Sequence, residues 1–299
     1  MYLDIAVLFY KLDEFCLWFL PLWYKRQLSS GERQRIKPSQ LYPREVMTIV
    51  VAFHYSGYRT FKDFYTKHVQ VYWRSEFPHL VSYNRFVELM QEALVPLAVY
   101  LMTQGKGKVT GIAFVDSTPL RVCHNRRASR HKVFEGLAGW GKNSMGWFYG
   151  FKLHVLVNDQ GELLSVVLTP GNVDDRNREV IDILTKELWG KLFGDKGYIC
   201  KELFEQLMDE GIQIITTIKK NMKNKLMPIV DKLLLRKRSI IETIHDTLKN
   251  VCQIEHSRHR SPINFVVNLL AGLVAYTQLP SKPALKLWDD DEYLPVLIA

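Results

Sequence analysis

Gly111-Ile112-Ala113-Phe114-Val115-Asp116-Ser117-Thr118-Pro119 is the segment from which the architecture can be read. Its first six residues form a short apolar run that ends on a carboxylate, as a buried strand does, and turn-like residues follow. Downstream, residues 147–157 (WFYGFKLHVLV) and 163–168 (LLSVVL) are two more strand-like runs. Asn158-Asp159-Gln160-Gly161 joins them with turn chemistry, which predicts an antiparallel hairpin closed by Thr169-Pro170-Gly171-Asn172. Helical spacing at Val180, Ile183, Leu184 and Leu188 then gives way to Lys191-Leu192-Phe193-Gly194-Asp195, another strand ending on a carboxylate. A helix near 201–210 and a strand over 212–218 continue the alternation. A strand, a hairpin and then α/β alternation predict a mixed sheet with helices packed on it.

Working outward, residues 1–108 change character and read as helical. Ile5, Leu8, Phe9 and Leu12 recur at helix spacing, and Pro43 stands at a helix start ahead of Glu45, Val46, Ile49, Val50 and Phe53. A Ser56-Gly57-Tyr58 break and basic residues near the next helix start resemble a helix-turn-helix, although a purely packing bundle has the same pattern. Gln104-Gly105-Lys106-Gly107-Lys108 is a linker by composition. The expected organisation is a helical, helix-turn-helix-like region over 1–108, an α/β domain over 109–280, and a tail over 281–299.

The totals narrow the function classes. With 299 residues, 47% of them hydrophobic, the chain can bury a substantial core and is not globally disordered. Forty basic against 31 acidic residues leave a net charge of +9, which favours a nucleic-acid partner. Four cysteines without a C-x-x-C pair suit a reducing cytoplasm. Residues 261–281 have membrane-spanning length without a formal charge, but Asn264 and Asn268 four residues apart suit a buried helix with polar neighbours.

Asp116 and Asp195 sit at the ends of predicted neighbouring strands, where open α/β sheets gather ligands. Two carboxylates there can chelate a divalent cation, since hard cations take oxygen ligands. Each can also simply cap the turn that follows. A third carboxylate comes from the helix around Glu242. At 100° per residue, Arg238, Glu242, Asp246 and Lys249 fall within about 40° of one face, with Ile240, Ile241, Ile244, Leu248 and Val251 opposite. An ordinary amphipathic helix has that pattern too. A carboxylate between cations that can hold phosphate explains more of it.

The Arg238-x3-Glu242-x6-Lys249 spacing resembles the signature around the last carboxylate of DDE transposases from bacterial insertion sequences. Asp116-Ser117-Thr118-Pro119, residues 169–176 (TPGNVDDR) and Gly194-Asp195-Lys196-Gly197-Tyr198, in that order, are similar to the same group. The insertion sequence 982 family looks nearest, through residues 53–61 (FHYSGYRTF), 81–86 (VSYNRF) and 256–261 (HSRHRS). The likeness runs to about residue 280. One departure is Leu235, where the broader signature places a tyrosine three residues before the arginine.

The resemblance implies a ribonuclease-H-like fold with Asp116 on the first strand, Asp195 on the fourth and Glu242 on a later helix. It implies two Mg²⁺ (or Mn²⁺) ions held by those three carboxylates, and cleavage of double-stranded DNA at terminal inverted repeats followed by joining to target DNA. Arg238 and Lys249 would steady backbone phosphates. Arg258 and Arg260 would make further phosphate contacts, while Trp140 and Lys142 would reach DNA from a flexible loop. Synapsis of two ends implies a homodimer working in the bacterial cytoplasm, on the nucleoid when DNA-bound. A stand-alone nuclease or resolvase of the same fold, and a non-catalytic DNA-binding remnant, are the alternatives.

Three other patterns are weaker. Residues 136–143 (GLAGWGKN) approach a phosphate loop, but Asn143 replaces the required hydroxyl residue and an aromatic strand follows where a helix belongs. Cys252, His256 and His259 lack a second cysteine for a closed zinc site. Asp174 and Asp175 follow a Pro-Gly turn and read as turn caps or supporting carboxylates.

Overall fold

A computed structural model of the chain describes residues 4–37, 39–217, 227–255 and 259–285. Its sheet comprises β1 (Ile112–Arg121), β2 (Gly139–Asn143), β3 (Gly146–Asn158), β4 (Leu163–Pro170), β5 (Gly190–Gly194) and β6 (Ile212–Thr216). β3 lies antiparallel to β1 and β4 antiparallel to β3, which is the expected hairpin. β5 runs parallel to β1, and β6 parallel to β5. The order β4-β3-β1-β5-β6 is the ribonuclease-H-like topology that the resemblance implied.

Two strand expectations change. β1 does not turn at Ser117 but continues to Arg121, because β3 is long enough to pair with it as far as Gly150. Its parallel partner stops at Phe114, so the outer half of β1 is an edge on that side, where Pro119 is tolerated. Residues 139–143 are not a loop but the strand β2, which pairs with Gly146–Gly150 while β4 takes Phe151–Val157 further along the same edge of β3. The reversal between β2 and β3 is made by Asn143, whose side chain accepts from the Met145 N–H at 3.0 Å, and by Gly146 at φ +112°. Asp195 therefore follows the fifth strand rather than the fourth.

Alternation along β1 divides the core in two. Ala113 and Val115 face α7 (Arg178–Thr185) and α8 (Lys201–Asp209), joining Val180, Leu184 and Leu207 in one apolar cluster. Phe114 faces the other way, into a larger cluster with Val155, Phe193, Ile241, Ile244 and Leu248. That side carries α9 (Ile229–Arg236), α10 (Ser239–Asp246) and α11 (Pro262–Thr277).

The larger cluster also contains the N-terminal helices. These are α1 (Ile5–Ser29), α2 (Pro43–Phe53), α3 (Phe61–Phe64) joined by a π-helical turn to α4 (Gln70–Tyr72), α5 (Tyr83–Glu92) and α6 (Leu94–Thr103). The helices flanking the Ser-Gly-Tyr break are present, with Gly57 at φ +71° and Thr60 capping α3. α11 packs against α2, α5 and α6. The Tyr55 hydroxyl donates to the Ala275 carbonyl, and Gln278 reaches the Tyr100 hydroxyl at 3.3 Å. The expected boundary at residue 108 is thus a break in composition and not in the core, because the last helix of the expected catalytic domain completes the helical bundle. Among the described residues no single helix is long and apolar enough to cross a membrane, and α11, with ten buried residues, is a core helix.

Candidate active site

Register sets the two aspartates side by side. β1 and β5 pair Ile112 with Lys191 and Phe114 with Phe193. Continued two residues past its last pair, that register sets Asp116 opposite Asp195, which directly follows Gly194 at the end of β5. Neighbouring strands lie about 4.8 Å apart, so the two carboxylates rise from adjacent backbone positions. Asp195 also caps the turn Lys196–Tyr198 and accepts from the Gly197 N–H at 2.7 Å, so turn capping and a site role coexist in one residue.

Asp116 is 22% exposed, and its own neighbour's N–H, that of Ser117, donates to Oδ1 at 2.9 Å. Burial pushes its carboxyl up to about 6; Asp195 and Asp175 push the same way, against the Ser117 N–H and Arg238. Negative charge is therefore crowded at this strand end.

Glu242 lies in the first turn of α10 and is 60% exposed. Arg238, immediately before α10, joins it to the strands. The guanidinium donates to Glu242 Oε1 at 3.0 Å and lies 3.5 Å from Asp116 Oδ2. Among the described residues no three His, Cys, Asp or Glu side chains converge closely enough to hold an ion. The cation between Asp116 and Glu242 here is the guanidinium of Arg238. The donor set nevertheless fits a hard divalent cation, since all three groups are carboxylates and the inner one sits where charge is crowded.

Beyond Asp246 the structure departs from the regular wheel. A π-helical turn spans Thr247–Val251, so the 100° step fails there. Ile240, Ile241, Ile244 and Leu248 are buried as expected, but Val251 is 45% exposed. Lys249 is not a free cation on an open face. Its ammonium donates to the Pro119 carbonyl at 2.6 Å and pairs with Glu255 at 3.1 Å, and Glu255 in turn accepts from the Arg121 N–H at 2.8 Å. Lys249 thus ties the end of this helix to the outer half of β1, just past Asp116.

The other expected contacts are dispersed. Trp140 and Lys142 are exposed on β2, with the Lys142 ammonium 5.7 Å from the Trp147 ring centroid. Arg260 is exposed just ahead of α11. Arg258 lies outside the described residues, as does His256 of the zinc-like spacing.

Sequence reasoning underrated Asp175. The Ser117 hydroxyl donates to it at 2.8 Å and the Lys152 ammonium at 3.1 Å, while fully buried His154 lies 3.8 Å away and bonds Thr169 at 2.9 Å. Ser117 alternates with Asp116, so this network braces β1 from the opposite face of the sheet. Asp174 instead pairs with Arg176 at the surface. The signal in the sequence was Lys152-x-His154, two polar residues of one face inside an otherwise apolar strand.

The sheet thus has a ribonuclease-H-like order, with Asp116 on one parallel strand, Asp195 just past the end of its neighbour and Glu242 on the covering helix, the arrangement expected of a phosphodiester-processing enzyme. Residues 106–262, more than half of the chain, match the family described as Transposase DDE domain, and the chain belongs to that family. It is accordingly an enzyme of DNA transposition, and the family implies dependence on a divalent metal. Among solved structures the chain is similar to the piggyBac transposase synaptic complex with hairpin DNA, determined by cryo-EM. That likeness has 11% identity and a TM-score of 0.48 over 92% of this chain and 74% of the other. No curated protein matches the sequence.

Proposed function

We propose that the chain cuts DNA at the terminal inverted repeats of a bacterial insertion sequence of the 982 type and joins the freed ends to target DNA. The observation that carries this reading is the meeting of Asp116, abreast of Asp195, with Glu242 through Arg238. The three carboxylates would hold two Mg²⁺ (or Mn²⁺) ions. Bound metal supplies Lewis-acid activation at the scissile phosphate. Arg238 neutralises the crowded acids and then offers its donors to DNA phosphate. Arg260, Trp140 and Lys142, together with Arg258, would contact the DNA, whereas the bonds of Lys249 favour a positioning role on the strand that bears Asp116. The helices of residues 1–108 would recognise the ends, and two copies would pair them in the cytoplasm, on the nucleoid.

A strand-transfer assay with labelled element ends tests this reading. Joined products are expected with divalent metal and absent without it. Cleavage without joining would reassign the chain as a nuclease, and binding without either reaction as a DNA-binding protein alone.

A further inference from the structure

Three segments far apart in the chain meet at a cleft of about 800 Å³ whose lining includes none of the three carboxylates. They are the start of α3, the start of α5 and the start of α11, and each lies in or beside a stretch that stood out in the sequence. The rim is basic, formed by Arg59, Lys62 and Arg260, all exposed. One wall is aromatic: Phe61 and Tyr83 stand 6.5 Å apart at 36°, and the Lys62 ammonium lies 6.0 Å from the Tyr83 ring centroid.

The opposite side carries an unused pair of polar groups. Asn264 and Asn268 both line the cleft and lie four residues apart, on one face of α11. Asn268 is only 4% exposed. Its amide Nδ2 and the Oδ1 of Asn264 are buried without a hydrogen-bond partner among the described residues. Buried polar groups are nearly always paired, so a donor and an acceptor without partners one helical turn apart in the wall of this cleft mark the place of a complementary group.

We propose that this cleft takes one unpaired nucleotide of a DNA strand. Its base lies along Phe61 and Tyr83 with its edge on the two asparagines, and its flanking phosphates lie on Arg59, Lys62 and Arg260. Each element of the cleft answers one part of that ligand: an aromatic wall takes a base face, an amide pair takes a base edge, and a cationic rim takes phosphate. A nucleotide stacked and paired within a duplex presents no free face, so only an unpaired one satisfies all three. The inference rests on the reading that the chain works on DNA.

The test compares, on the full chain, the affinity for a short duplex with one extrahelical nucleotide against that for the same duplex fully paired. The expected preference is about tenfold, the usual size of one well-made base-edge contact. 2-Aminopurine at the unpaired position should lose fluorescence on binding as it stacks. Asn268→Leu and, because a core change can disturb folding, the exposed Lys62→Gln should each bring the two affinities together. Equal affinity of the parent protein for both duplexes, or a preference that survives both substitutions, overturns the proposal. Competition by free dAMP as strong as that by the unpaired duplex overturns the assignment to a DNA strand in favour of a mononucleotide. Failure to bind either duplex at all removes the DNA reading itself, which separates the two outcomes.

Discussion

Replacing Lys249 by alanine should lower the stability of the free protein, a result opposite to that expected for an exposed lysine on a regular helix. Its ammonium bonds the Pro119 carbonyl at 2.6 Å and Glu255 at 3.1 Å. Both Lys249 and Glu255 are 21% exposed, so the near-zero contribution of a surface pair does not apply, nor does the full cost of breaking a buried one. A hydrogen bond to a charged group contributes about 1.5–3 kcal/mol. Water reaches the site in part, and Glu255 keeps the Arg121 N–H, so the net loss should be about 2 kcal/mol. With about 2.1 cal/mol/K of unfolding entropy per residue over 299 residues, that lowers Tm by about 3 °C. Calorimetry of Lys249→Ala, Glu255→Gln and the double variant should give a coupling of about 1 kcal/mol or more. An unchanged Tm with no coupling, accompanied by a salt dependence of DNA binding shallower by about one unit, would refute the reasoning and return Lys249 to the DNA face.

Asp116→Asn, Asp195→Asn and Glu242→Gln should each abolish cleavage while duplex affinity in gel-shift titration stays near that of the parent, because affinity comes mostly from phosphate contacts. Removing residues 1–108 should leave insoluble or molten protein, detectable by circular dichroism, because the buried face of α11 loses α2, α5 and α6; a cooperatively folding truncation would contradict this. Burial holds His54 and His245 down at about 4 in the fold against 6.5 in the open chain, so protonation favours unfolding. Their stabilisation is complete above pH 6.5 and is lost as pH falls toward 4, by up to about 3 kcal/mol each, which a series of Tm values across that window measures. Asp175→Asn should weaken the bracing of β1 by Ser117 and Lys152 and lower cleavage more than DNA binding, a difference read by running both assays on one preparation.

The sheet was legible because its strands are apolar runs bounded by turn residues, and the Asn158–Gly161 turn announced the hairpin. Asp116, Asp195 and Glu242 were singled out by chain order together with strand-end chemistry and the helix wheel, and the structure links Asp116 to Glu242 through Arg238. β2 was missed because Gly139-Trp140-Gly141-Lys142-Asn143 has the composition of a loop and becomes a strand only against the long free edge of β3. The bonds of Lys249 to Pro119 and Glu255 were not foreseen because a π-helical turn breaks the wheel without any mark in composition. Asp175 was underrated because its partners Ser117, Lys152 and His154 are distant in sequence. The unity of the core was hidden for the same reason, since no periodicity in residues 262–277 says which helices they will meet.

That last helix has a bearing on how the chain reaches its native state. Contacts such as Tyr55 with Ala275 and Tyr100 with Gln278 close loops of 220 and 178 residues, so the bundle begun by α1–α6 stays unfinished until α11 has emerged from the ribosome. Until then the surface awaiting α11 is bare and depends on slow, long-range closure. Folding should therefore be late and concerted, with no stable N-terminal intermediate able to seize DNA during synthesis, and the yield of active protein should depend on chaperones that shelter the half-made bundle.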